Sequence, residues 1–276
     1  PQDLGTSSNC QQSHGLGINN EVGGVPLQVV GQGNYCNEST ARPVLWTAST
    51  GMLDLGTISG ARGGGAIAVS DDGTVVGILN DGANLGFVRP LGGPMEALSG
   101  LVPMKAIDIA ANGTYIVATD ANDVGARWDR ASGIWQPTFI PSGSAFAVSD
   151  SGVVVGHVPA PGRANELKAR LWSPSGSVVL PGEDTRAYDI DALGITVVGF
   201  RRVDTTCQRR PCPKYSVPMV WTLVDGTWVA QQLVALNSSD CEATGVAEVN
   251  GETVVVGYGK DSVTRQRLGV RMPRRA

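Results

Sequence analysis

Histidine is nearly missing from this chain: His14 and His157 are the two among 276 residues. Serine–histidine or cysteine–histidine catalysis and histidine-rich metal centres therefore have little to build on. No G-x-S-x-G elbow surrounds a serine, and C-x-x-C-H, H-E-x-x-H and paired C-x-x-C are all lacking. The acidic stretches DDG (71–73) and NDG (80–82) lack the spaced carboxylates and distal Glu of a calcium loop. Local motifs thus give no catalytic residue, no cofactor and no metal ligand set.

Charge is also scarce, at 17% of residues with a net value of −4, which leaves generic nucleic-acid binding without electrostatic support. No apolar run approaches the roughly 18–20 residues that span a bilayer. Aromatics make up 5%, and four of the six tryptophans recur at one repeat position, where packing between repeats is their expected role. Trp135 and Trp228, outside that position, are the expected exposed contacts. What the chain has in quantity is glycine, 37 residues, as suits many short strands joined by tight turns.

The glycines belong to a repeated phrase. AIAVSDDGTVVG starts at Ala66, AIDIAANGTYIV at Ala106, AFAVSDSGVVVG at Ala145 and AYDIDALGITVVG at Ala187. A divergent copy starts at Gly15 and a stretched one at Ala243, giving intervals of 51, 40, 39, 42 and 56 residues. Each reads as a hairpin around a glycine turn such as Asp72-Gly73 or Asn112-Gly113. Type I′ turns, with φ > 0 at both central residues, are the expected geometry. A third strand follows, ending at Trp46, Trp128, Trp172 or Trp221 in four copies and in Arg89 or Arg271 in the others. A fourth comes next, as in MLDLGT (52–57) and WQPTFI (135–140).

Four strands at a period near 40–45 residues describe a propeller blade. The expected fold is an all-β, six-bladed β-propeller of four-stranded antiparallel blades, forming one domain over 1–276. The blades span approximately 14–60, 65–101, 105–141, 144–182, 186–237 and 242–273. The last lacks a fourth strand, and QDLGT (2–6) matches LDLGT (53–57) in its last four positions. The N-terminal strand is therefore expected to close the ring as outer strand of the last blade.

The pattern A-x-x-(I/V)-(S/N)-D-x-G-x-V-V-G, an apolar segment ending in Trp, and then G-x-x-x-D-L-G-T resembles the bacterial extracellular HAF-repeat proteins. The best matches are 66–77, 145–156 and GMLDLGTISG (51–60), and the resemblance spans essentially the whole chain. It departs at the naming triplet, His-Ala-Phe, where this chain has ARP (41–43), LKA (167–169) or SVP (216–218). The resemblance implies an exported propeller and brings no catalytic residues with it.

Cys10, Cys36, Cys207, Cys212 and Cys241 sit in Gly-, Pro- and polar-rich stretches, which points to an oxidising compartment. With the chain starting at Pro1, an extracellular or periplasmic protein whose signal peptide is already removed is expected. The expected pairs are Cys10–Cys36 and Cys207–Cys212 with Cys241 unpaired; a rival joins Cys241 to Cys207 or Cys212.

In a propeller the loops joining strands 2 to 3 and 4 to 1 share one face, the top. Here they include GQGNYCNESTA (31–41), VPAPGRANELK (158–168) and RRVDTTCQRRPCPKYS (201–216). Loops longer than a turn requires are where function usually sits. Interaction candidates are Tyr35, Arg201, Arg202, Arg209, Arg210 and Lys214. Candidates for ligand contact at the channel mouth, just before innermost strands, are His14, Lys105, Arg186 and Glu242, beside Gly65 and Ser144. The leading expectation is a non-enzymatic interaction or structural subunit that contacts a protein or cell-envelope component. The alternatives are a sugar- or ester-processing hydrolase or lyase with a metal in the central channel, built from several blades, and a carbohydrate-binding propeller.

Overall fold

Short runs of β-branched residues broken by Gly cannot sustain helices, and the chain folds as successive antiparallel meanders. The structure is a computed structural model. It describes residues 4, 12–34, 40–58, 60–80, 82, 84–98, 104–131, 133–141, 143–163, 165–204, 214–233, 238–249, 251–261 and 267–272. The chain divides into two compact units, Pro1–Pro141 and Ser142–Ala276. The division falls between the third and fourth expected blades.

The first unit holds three four-stranded sheets. They are β1 (Gln12–Ile18), β2 (Gln28–Asn34), β3 (Ala41–Thr47), β4 (Gly51–Asp54); β5 (Gly64–Val69), β6 (Val75–Leu79), β7 (Leu85–Arg89), β8 (Glu96–Ala97); and β9 (Met104–Ile109), β10 (Tyr115–Asp120), β11 (Gly125–Ala131), β12 (Ile134–Phe139). The second unit holds two more and a three-stranded one. These are β13 (Ser144–Val148), β14 (Val154–Pro159), β15 (Leu167–Ser173), β16 (Gly176–Val179); β17 (Thr185–Ile190), β18 (Thr196–Asp204), β19 (Lys214–Val224), β20 (Thr227–Gln232); and β21 (Ser238–Val249), β22 (Glu252–Asp261), β23 (Arg267–Met272). Every sheet runs in chain order, so the four-strand rhythm read from the sequence holds strand by strand.

The turns differ from the expected type I′. Gly73, Gly113, Gly152 and Gly194 have φ of 73–80°, but Asp72, Asn112 and Ser151 before them do not adopt positive φ. Instead the Gly amide donates back three residues, Gly73 to Ser70 O at 3.0 Å and Gly152 to Ser149 O at 3.0 Å. The loop is a type I turn followed by one left-handed Gly, which spares the residue before it the cost of positive φ. Ser70 and Ser149 hydroxyls accept the amides of Thr74 (3.2 Å) and Val153 (3.1 Å), while Asp191 Oδ1 accepts those of Ile195 and Thr196.

These turns also join neighbouring sheets within each unit. Asp71 N donates to Ala111 O at 2.7 Å, Asp150 N to Ala192 O at 3.0 Å, and Asn20 N to Asp71 Oδ1 at 2.8 Å. The acids of the repeated phrase are thus spent on turning the chain and on linking one repeat to the next.

The Gly that ends the phrase has a separate cause. Five innermost strands carry a bulge that leaves Leu16, Ile67, Phe146, Tyr188 or Thr244 as the extra residue. Opposite each bulge stands Gly31, Gly77, Gly156, Gly199 or Gly257. A Cβ there would lie 1.8–2.2 Å from the carbonyl oxygen of His14, Gly65, Ser144, Arg186 or Glu242. The third repeat ends in Ala118 instead, and there Ile107 pairs with Ala118 in step. There the register shift falls at Lys105 instead, and opposite Ile107 the side chain is allowed.

The cores lie between sheets. Val76, Val88 and Leu98 of the second sheet pack with Ile107, Ile116 and Trp128 of the third. Val155, Leu171 and Leu180 of the fourth pack with Val197, Met219 and Trp221 of the fifth. Trp128 and Trp221 are fully buried, and Trp221 Nε1 donates to Pro181 O at 2.7 Å, tying its sheet to the one before. Trp135 and Trp228 are not the exposed contacts expected of them. Both are half-buried against these same clusters, because each outer strand still folds one face onto the core.

Candidate functional site

The connection from β16 to β17, PGEDTR (181–186), has no counterpart in the other repeats. Its Asp184 is 3% exposed and holds φ at 45°, a conformation that Asp tolerates better than most residues. Asp184 Oδ2 accepts from Lys214 Nζ at 2.7 Å, and Oδ1 accepts from Leu167 N at 3.2 Å and Arg186 Nη1 at 3.4 Å. Its carbonyl accepts from Arg202 N at 2.8 Å. One residue therefore fastens the β14–β15 loop, the β16–β17 connection and both strand ends that flank 205–213.

A wider frame supports it. Lys214 Nζ also lies 3.6 Å from Glu166 Oε1, and Arg163 bridges Glu166 (3.1 Å) and Glu183 (3.0 Å). Lys168 Nζ donates to Gly182 O at 2.7 Å, and Thr185 Oγ1 accepts from Ala169 N at 3.0 Å. Burial works against the Asp184 charge. The Lys214 hydrogen bond, the Leu167 amide and the Arg186 and Lys214 charges outweigh it and hold the carboxyl below the usual carboxylate range. Chiefly through the bond to Asp184, Lys214 is held above its ordinary value.

Beside this frame the bulges of β13 and β17 bring two aromatic rings together. Phe146 stacks on His157 with centroids 5.1 Å apart and meets Tyr188 edge-on at 5.5 Å. Tyr188 in turn lies 5.3 Å from Phe200, over which Arg186 Cζ sits at 5.2 Å. Next to Arg186, Glu242 accepts from the Ser216 hydroxyl at 3.0 Å and from the Tyr258 hydroxyl. Ser216 N donates to Asp240 Oδ1 at 2.8 Å. Burial, and then the Glu242 charge, push the Tyr188 phenol up despite Arg186 and Arg202.

The expected ligand residues are only partly gathered. Arg186 and Glu242 are neighbours, but Arg186 is 7% exposed and sits over the Phe200 ring instead of looking onto open solvent. Gly65 and Ser144 are buried, and His14 is exposed on β1 in the first unit. Lys105 lies on β9, its side chain outside the described residues. Of the interaction candidates, Lys214 is engaged by Asp184 and Glu166, and half-buried Arg201 donates to Gln232 at 3.2 Å. Arg202 is exposed. Tyr35, Arg209, Arg210, Cys10, Cys36, Cys207 and Cys212 lie outside the described residues. Cys241 is not in a loop: it is buried on β21, where a long innermost strand extends past the expected start.

Among the described residues no three His, Cys, Asp or Glu side chains are grouped to hold a metal ion, and no helix is long and apolar enough to cross a membrane. Sequence reasoning missed Asp184, Phe146, Tyr188 and Phe200. The signal for the two bulge aromatics was present, as ring residues where other copies carry Leu16, Ile67 or Thr244.

No protein-family model and no curated protein matches the chain. Solved structures do. The β-propeller domain of the Trilobed protease from Pyrococcus furiosus, which has an open velcro topology, aligns with a TM-score of 0.55 and 9% identity over 95% of this chain and 83% of that one. Kuenenia stuttgartiensis hydrazine synthase aligns at 0.60 and 12% over 99% and 90%. The tricorn protease aligns at 0.54 and 14% over 97% of this chain but 31% of its own. At these identities the likeness shows the fold alone: the chain has a β-propeller fold.

Proposed function

We propose that this β-propeller is a non-enzymatic binding subunit, exported from a bacterial cell, that docks on a protein or envelope component through its top-face loops. The six sheets are six blades of one ring, closed by residues 2–6 pairing along β23. The observation that carries the reading is the frame around Asp184. Hydrogen bonds and ion pairs fix the β14–β15 loop and the base of the 205–213 excursion to one buried carboxylate. Such pre-organisation lowers the ordering cost of binding through the loops it holds. At the other end of the strands the hairpin turns are already engaged with their neighbours and offer little adaptable surface. The repeat resemblance to extracellular proteins and the placement of most cysteines in unrepeated segments support export.

The test is isolation from the native source, followed by replacement of 205–213 with a short Gly-Ser link. A stoichiometric partner or filament that is retained by the natural chain and lost from the folded variant supports the reading. A strictly monomeric protein without a partner overturns it.

A further inference from the structure

Three side chains on the β17–β20 sheet carry hydrogen-bond donors that no described residue uses. The exposed guanidinium of Arg202 has no hydrogen-bond or ion-pair partner among the described residues, and the Tyr188 hydroxyl makes no hydrogen bond among them. Arg186 spends one donor on Asp184 at 3.4 Å, a carboxylate that Lys214 already holds at 2.7 Å. Register places Arg186 opposite Phe200, and Arg202 lies two residues past Phe200, so all three share one face of the sheet. The Arg202 guanidinium lies near enough to weigh against the charge of Arg186, with Tyr188 and Glu242 in the same neighbourhood. Glu242 makes no ion pair with either arginine among the described residues; its oxygens accept the hydroxyls of Ser216 and Tyr258.

The exposed Arg202 guanidinium and the Tyr188 phenol therefore stand beside the half-exposed rings of Phe146 and Tyr188, with the buried Arg186 behind them. The geometry points to a binding site for a ligand that carries a carboxylate on a six-membered ring. The carboxylate takes the forked N–H groups of Arg202 and the Tyr188 hydroxyl, with the buried Arg186, held over Phe200, as a second positive charge behind them. The ring packs on Phe146 and Tyr188. A single negative charge suits two cations that have Glu242 nearby, whereas a phosphate dianion meets that carboxylate's repulsion. This site lies within the second unit and stands whether or not the loops dock on a protein.

A pyranose uronate and an aryl carboxylate share this chemistry. Calorimetric titration of the full chain with trigalacturonate, benzoate, galactotriose and inorganic phosphate separates them. One ring carboxylate is expected to bind saturably, at least ten-fold more tightly than galactotriose or phosphate, and the one that binds names the source. Arg202→Gln is expected to weaken it at least ten-fold with an unchanged melting temperature, and Tyr188→Phe several-fold. Phosphate binding as tightly, no binding by either ring carboxylate, or binding indifferent to both substitutions overturns the proposal.

Discussion

Lys214 Nζ lies 2.7 Å from Asp184 Oδ2, thirty residues away in the chain. The pair joins the return strand of the 205–213 excursion to the connection that enters its own sheet, and Arg202 N, on the outgoing strand, bonds the Asp184 carbonyl. A buried carboxylate with several donors behaves differently from the exposed Arg163–Glu183 pair, whose contribution is small.

Asp184→Ala is expected to lose about 2 kcal/mol, since it strips Lys214 and the Leu167 amide of their acceptor. Asp184→Asn keeps an acceptor and tolerates the positive φ, so it is expected to cost roughly half as much. Urea denaturation of the three proteins checks the order. Cleavage within 205–213 by a site-specific protease is expected to speed up in both variants.

The Asp184 carboxyl is held below its ordinary value, so its folded state binds the proton less readily than its unfolded state. The stability it contributes is therefore fully present above the unfolded carboxylate value of about 4 and is lost as pH falls through the lower folded value. The gap between the natural chain and Asp184→Asn is expected to be constant from pH 8 to pH 5 and to close below about pH 4. Denaturation midpoints measured across that range check it.

The strand order was legible because alternation, turn glycines and a recurring Trp all repeat. Even the bulges are written in the chain, as VVG at Gly77 and Gly156 against IVA at Ala118. Their cause was not legible, because the clash is with a carbonyl on the paired strand. Asp184 was hidden for a related reason. PGEDTR occurs once, and its partners Leu167 and Lys214 stand 17 and 30 residues away, so neither period nor spacing marks it. The turn type was misread because Asp-Gly fits both a two-residue type I′ loop and a longer loop with one left-handed Gly.

Gly199→Ala sets a Cβ 1.9 Å from the Arg186 carbonyl oxygen and must displace backbone. It is expected to cost about 3 kcal/mol. Ala118→Gly, at the equivalent position in the repeat without that bulge, is expected to cost about 1 kcal/mol, from added chain entropy and a lost methyl. Equal losses in chemical denaturation would remove the link between glycine and bulge.

Trp221→Phe keeps most of the ring but leaves the Pro181 carbonyl without its 2.7 Å donor. The expected loss is about 2 kcal/mol, a buried acceptor left unsatisfied. Trp228→Phe, on a half-buried outer strand, is expected to cost less than about 1 kcal/mol. Thermal melts of the two variants check the ranking.

Among the described residues the last sheet has three strands, β21, β22 and β23, where the other sheets have four. Its β23 edge offers backbone donors and acceptors with no described strand beside them, a template for pairing with another chain unless covered. QDLGT at 2–6 repeats the outer-strand wording of LDLGT at 53–57, whose Leu53 and Asp54 pair along β3. If residues 2–6 cover β23, deleting residues 1–6 exposes the edge. The shortened protein is expected to melt at least 5 °C lower and to self-associate on concentration, and a peptide of residues 1–11 added in excess is expected to reverse both. An unchanged melt and a monodisperse shortened protein would show that residues 2–6 do not cover β23.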